Sequence, residues 1–246
     1  MPSGAARVHP AGGSAVSLVR AAAEYLLGGP KVGGADEDRL RRWSALPAPQ
    51  LAVPHGRMRY VVAVGGMARL PLRHDRLISI GAAGVAQGRL DLADCFTTVL
   101  RQRRTRADVL GHGVGGQAQL AGAEPKIAML DFLDYLGKAP LVVFGAGADR
   151  AVLERAVKSI LGIPFRHAWL DLAALLPRLF PQAACTTREE WLDRFGIASG
   201  TWHDALGDAF GTAQLFLVAL DASNRAGLTN AAQLIGDPGR WRGRGG

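Results

Sequence analysis

The stretch RYVVAVGGMARLPLRHDRLISIGA (Arg59–Ala82) contains an uninterrupted apolar run, Tyr60–Val64, two glycines, a proline-containing loop and a second apolar run. A continuous run rather than an alternating one fits a central strand buried on both faces. In open α/β sheets, chemistry gathers where such strands end, beyond their C-terminal edge. Yet from Tyr60 to His74 there is no Asp or Glu. The strand tip is built as if to present a reactive side chain, and carries none.

Working outward, RLISIGAAGVAQGRLDLADCFTTVLR reads as two strands joined at Gln87-Gly88, a hairpin. EPKIAMLDFLDYLG places Ile127, Leu130, Leu133 and Leu136 at helical spacing, with Gly137 set to end the helix. PLVVF is a short buried strand, and GAGADRAVLERAVKSILG continues into a helix. WLDLAALLPRLFP and REEWLDRFG read as shorter helical pieces. HDALGDAFGTAQLFLVALDAS predicts a long amphipathic helix with Leu206, Phe210, Ala213, Leu217 and Leu220 inward. A hairpin before the first crossover gives an α/β fold with a mixed central sheet flanked by helices.

Residues 57–222 form this core. Residues 1–56 read as a partly helical extension, with a short helix at Ser14–Leu27 and packing through Leu40, Trp43 and Leu46. Residues 223–246 decay into a Gly/Arg-rich tail, expected to be disordered.

Composition bounds the function. Hydrophobic residues at 48% and charged residues at 20% are globular proportions. The net charge of +8 favours a polyanionic partner. The excess is arginine, since lysine occurs only at Lys31, Lys126, Lys138 and Lys158, and a GC-rich coding sequence gives the same bias. Cys95 and Cys185 have neither zinc-site nor disulfide-framework spacing. Cys95 is expected to be a small buried hydrophobe. No apolar run has the length of a membrane span and no secretory leader pattern opens the chain, so a cytoplasmic location without membrane association is expected.

Three places can carry chemistry: the tip after Val64, Asp149 after the strand LVVF, and WHDALGDA with His203 and Asp208. HDALGDA resembles the third motif of the DEDDh 3′–5′ exonucleases, the family of the DNA polymerase III epsilon subunit and ribonuclease T. LVVFGAGADRAVLERAV resembles its second motif, and VLGHGVGG the His-Gly-Ile element between the first and second. DRLISIGAAGVAQGRL is similar to the hairpin after the first motif, and WLDLAALLPRLFP to the segment before the third. The resemblance spans roughly residues 57–221 in the family's order, and implies a ribonuclease H-like fold.

In this family the first strand ends in Asp-x-Glu-x-Thr-Gly. Registered on Leu70 and Asp75, the two acidic positions fall on Val64 and Gly66, with Met67 read at the threonine and Arg69 at the glycine. The second motif is eroded to Gly145, Ala146, Gly147 and Ala148 before the surviving Asp149. The resemblance implies metal ligation by Asp149 and Asp208, general-base catalysis by His203, and substrate contact at Gly66, Met67 and His112. The implied cofactor is Mg²⁺ or Mn²⁺, and the implied partner a single-stranded nucleic-acid 3′ end. Two divalent ions about 3.5–4 Å apart would act on the phosphodiester, held by hard carboxylate oxygens. Valine and glycine supply neither ligand nor charge. Asp204 reads as a helix-start acid and Asp171 as structural.

Three functions follow. The chain is a family member that binds 3′ ends with hydrolysis impaired or lost. Alternatively it is an active exonuclease using substitute ligands. Or it is a non-catalytic protein-interaction module.

Overall fold

The computed structural model describes residues 34–68, 76–102, 114–198 and 204–235. His112, His203 and the helix expected at Ser14–Leu27 lie outside the described residues. Within them, a five-stranded mixed sheet has the order β3-β2-β1-β4-β5. Its strands are β1 (Arg59–Ala68), β2 (Arg76–Ala86), β3 (Arg89–Val99), β4 (Leu141–Val143) and β5 (Trp169–Asp171). β1 pairs antiparallel with β2 and parallel with β4, so it is central, as its unbroken apolar run requires. The β2–β3 turn falls at Gln87-Gly88, both with positive φ (54° and 69°), the paired left-handed geometry of a tight hairpin.

One layer of helices covers each face. On one side α3 (Pro125–Leu136) and α4 (Ala146–Leu161) bury Phe132, Leu133, Leu136 and Val157 against Val61, Ala63 and Ile80. α1 (Ala35–Ala45) joins this layer through Leu40 and Trp43, whose Nε1 donates to the Gly137 carbonyl at 2.8 Å. Short α2 (Gly116–Ala121) precedes α3. On the other side lie α5 (Leu172–Leu179), α6 (Arg188–Arg194), α7 (Ala205–Arg225) and α8 (Ala231–Ile235). They pack Leu176, Trp191 and Phe216 against Tyr60, Val62 and Val85.

Several expectations are corrected. Residues Trp169–Asp171 are an edge strand before α5, too short for a periodic signal. α7 runs to Arg225 and α8 follows it, so residues 223–235 are helix and turn within the stretch expected to be a tail. α7 is also rotated from the expected face. Ala205, Ala209, Thr212, Ala213, Phe216 and Ala219 are buried, whereas Leu206, Phe210 and Leu217 are half-buried at its flanks. Small residues turn inward because this helix approaches the sheet closely: a Cβ on Gly81 of β2 would lie 2.1 Å from the Ala205 backbone. Leu46 and Ile127 are exposed at 45% and 38%, and Cys95 is exposed because β3 is an edge strand with one face open. By length and composition α7 matches a membrane span, but half of it is buried within the fold.

Candidate functional site

Side-chain alternation along β1 fixes which residues reach the site. Tyr60 and Val62 pack on the α7 side, and Val61 and Ala63 on the α3–α4 side. Continuing the alternation sends Val64 and Gly66 toward α7. Val64 pairs with Gly81, the residue against which the first turn of α7 is seated. The two positions read as lost carboxylates therefore face the helix that carries Asp208. Met67 follows a bulge after Gly66 and packs with the opposite core, so it does not share a face with Gly66. The count from Val64 also puts the motif's threonine at Ala68, not Met67. Across from Gly66, Ser79 is buried and its hydroxyl has no hydrogen-bond partner.

Asp208 lies in the first turn of α7. Asp204 caps that helix, accepting from the Gly207 amide at 2.6 Å, which supports its reading as a helix-start acid. Asp149 lies in the first turn of α4 and lines a cavity of about 30 Å³ together with Val64, Gly65 and Val143. Its carboxyl is pushed up to about 6, first by burial and then by the nearby Asp171 carboxylate, with Arg188 pulling the other way.

Both oxygens of Asp171 are engaged by backbone amides. Oδ1 accepts from the Gly145 and Ala173 amides at 2.8 and 2.9 Å, and Oδ2 from the Ala146 amide at 2.9 Å. It ties the start of α4 to the start of α5, a structural task. It also holds in place the eroded second motif, whose backbone amides it collects.

The residue that sequence reasoning missed is Arg188. Its Nη2 donates to Asp208 Oδ1 at 2.9 Å, and its Nε to Glu189 Oε1 at 3.1 Å. It is the first residue of α6, fixed there by a capping box: Thr187 accepts from the Glu190 amide, and the Glu190 carboxylate accepts from Thr187 N. The pattern Thr-x-x-Glu was a legible signal for that helix start. Nothing in it tells that the start points at Asp208. Arg188 is thus hydrogen-bonded to Asp208 and close enough to Asp149 to oppose its upward shift.

A two-ion centre needs several oxygen ligands converging within about 2.0–2.6 Å of each metal. Among the described residues, no group of three or more His, Cys, Asp or Glu side chains is placed to hold a metal ion. The Asp208 carboxylate already has a guanidinium on it. The described residues do not by themselves supply the ligand set of the metal pair that the family resemblance implies. The described part of the site sets one fixed cation, Arg188, against the Asp208 and Asp149 carboxylates.

No family model matches the chain. It is 30% identical over 171 residues to a DNA polymerase III subunit epsilon-like protein of Rhodobacter capsulatus, covering 67% of this chain and 24% of that protein. It is 23% identical over 162 residues to a PolC-type DNA polymerase III of Thermotoga petrophila, covering 65% of this chain and 12% of that protein. The chain thus spans a quarter or less of the length of these curated relatives. Among solved structures, it is similar to the nuclease domain of 3′hExo, a DEDDh family member bound to rAMP. That match has a TM-score of 0.58 and 12% identity, covering 69% of this chain and 94% of that one. E. coli exonuclease I in complex with a dT13 oligonucleotide gives a TM-score of 0.58 at 12% identity, over 69% and 42% of the two chains. These likenesses show a ribonuclease H-like exonuclease fold. With the motif order and the epsilon-like relatives, they place the chain in the DEDDh 3′–5′ exonuclease family.

Proposed function

We propose that this chain binds single-stranded nucleic-acid 3′ ends and that its metal-dependent phosphodiester hydrolysis is impaired or lost. One observation carries the reading. Val64 and Gly66 stand on the α7 face of β1 where two carboxylates would be needed, and Arg188 has taken the charge of Asp208. Replacing two acids and adding a guanidinium removes both the ligands and the negative field that draw divalent ions together. The basic balance of the chain supports retention of a polyanionic partner. Family relatives include structures with bound oligonucleotide and duplex DNA, which supports nucleic acid as that partner. Free thiols at Cys95 and Cys185 accord with a reduced, cytoplasmic setting.

The test is Mn²⁺-dependent degradation of a 5′-labelled single strand by purified protein, with Asp208→Ala as the contamination control. The expected result is no degradation above that control, with salt-sensitive oligonucleotide binding retained. Degradation abolished by the Asp208 substitution would establish an active exonuclease with substitute ligands. Absence of both hydrolysis and binding would leave the protein-interaction module.

A further inference from the structure

On the α4 side of the sheet, away from the Asp208–Arg188 pair, a groove of about 690 Å³ runs between the start of β2, the chain just after β3, and α4. Its charged lining is all of one sign. Arg76, Arg101 and Arg155 face it, and among the described residues no Asp or Glu does. Among the described residues, Arg76 and Arg155 make no ion pair or side-chain hydrogen bond. Arg101 donates only its Nε, to the Gly122 carbonyl at 3.0 Å, which orients the guanidinium and leaves its terminal nitrogens unengaged. Elsewhere in this fold arginines do find acids: Arg39 with Asp131 and Asp134, Arg59 with Asp94, Arg188 with Asp208. Three guanidinium groups sharing one groove without a carboxylate repel one another, a cost that an anionic occupant removes.

Between them Ala156 and Ile160 of α4 offer apolar surface, alongside the polar side chains of Gln102 and Ser159. Leu77, Leu100 and Val152 are buried there. The wall that bears Arg101 is fixed by backbone pairing, with Arg101 N donating to Ala123 O at 2.8 Å and Gln102 N to Gln119 O at 2.8 Å. Leu77 and Val152 also line the small cavity beside Asp149, so the groove and the candidate site adjoin.

We propose that this groove is a binding track for the phosphodiester backbone of a single-stranded nucleic acid. The arginines would take successive phosphates, and the apolar surface between them would take sugars and unpaired bases. A duplex keeps its bases inside and would leave that surface unused, which selects the single strand. The proposal rests on the nucleic-acid reading given above, and adds where the strand lies beyond its 3′ end.

The test is fluorescence anisotropy with an oligothymidylate of about 20 nucleotides, enough to cover one such site, across a salt series. The groove variant is Arg76→Gln/Arg101→Gln/Arg155→Gln. A control of equal charge change, Arg57→Gln/Arg89→Gln/Arg194→Gln, lies elsewhere on exposed surface. The groove variant is expected to bind at least about tenfold more weakly. Its slope of log affinity against log salt should fall by about 2, from three phosphate contacts at roughly 0.7 each. The control should keep most of the affinity. Arg155→Glu alone, an exposed change on α4, should weaken binding in the same direction and guards against loss of fold in the triple variant. Wild-type affinity in the groove variants would overturn the track while leaving nucleic-acid binding intact. Failure of the wild-type protein to bind would overturn the parent reading and the track with it.

Discussion

Arg188 Nη2 and Asp208 Oδ1 lie 2.9 Å apart, and both side chains are only 21% exposed. In a site inherited from a metal-dependent fold, a guanidinium there supplies one permanent positive charge at a fixed point. It needs no second ligand set and cannot be removed by chelation. The absence of carboxylates at 64 and 66 and the presence of the arginine therefore bear on one electrostatic balance.

Restoring the acids alone should not restore a metal site. Val64→Asp/Gly66→Glu is expected to leave the melting temperature unchanged by millimolar Mn²⁺, because Arg188 still engages Asp208. Adding Arg188→Gln should produce a Mn²⁺-dependent rise, following the binding linkage that gives about 2.7 kcal/mol at one hundred times Kd. Thermal melts with and without Mn²⁺ decide it. Equal Mn²⁺ responses in the double and triple variants would show that Arg188 is no barrier to the ion.

Asp149 reports the same coupling by titration. Its carboxyl stands at about 6 with Arg188 opposing the upward shift, so Arg188→Gln should move the midpoint above 6 in a carboxyl ¹³C NMR titration. A raised carboxylate binds its proton more tightly in the folded state than in the unfolded chain. Ionising it therefore costs stability above pH 6, and that cost disappears as pH falls through 6 toward the ordinary value of 3.8. Asp149→Asn should accordingly stabilise the fold at pH 7.5 by up to about 3 kcal/mol, with the gain gone near pH 4. Denaturant unfolding at the two pH values checks the sign.

Gly81 is where the sheet and the helix bearing Asp208 touch. An added Cβ would meet the Ala205 carbonyl carbon and oxygen at 2.1 Å, and these are backbone atoms that cannot swing aside. Gly81→Ala should cost about 3 kcal/mol, at the upper end for overpacking, and shift the start of α7. Urea denaturation should show the midpoint falling. An unchanged midpoint would mean that α7 is not held against β2 there.

His55 gives the fold an acid-sensitive joint. Its Nε2–H donates to the Leu228 carbonyl at 3.0 Å, so Nδ1 accepts from the Tyr60 hydroxyl at 2.6 Å and the ring is neutral. Burial lowers its pKa below 6.5, with the Leu228 bond offsetting part of this. The folded state therefore prefers neutral His55. The stability it contributes is present above pH 6.5 and is lost as pH falls from 6.5 toward the lowered value. His55→Gln should flatten the dependence of melting temperature on pH between 7 and 5. A slope unchanged by the substitution would assign the acid response elsewhere.

Much of this architecture was legible in the residues. The unbroken run Tyr60–Val64 placed β1 at the centre, and Gln87-Gly88 marked the turn where two residues with positive φ are needed. What escaped has physical causes. β5 is three residues long and carries no period. The inner face of α7 was taken from its largest side chains, whereas close packing at Gly81 selects alanines. Asp149 and Asp208 stand on different helices, and the arginine that acts on both starts a third, so this coupling is a property of the assembled layers. No spacing in the sequence encodes it.

The segments that bracket the core are stitched together. Pro54 bridges Asn230, His55 N donates to Thr229 O at 2.9 Å, and Ala232 N donates to Leu51 O at 2.9 Å. This seam lies at the start of β1, while Val64 lies five residues further along, roughly 17 Å at about 3.3 Å per residue. The pairing fastens the chain just before β1 to the chain just after α7, at the pole of the sheet remote from Val64.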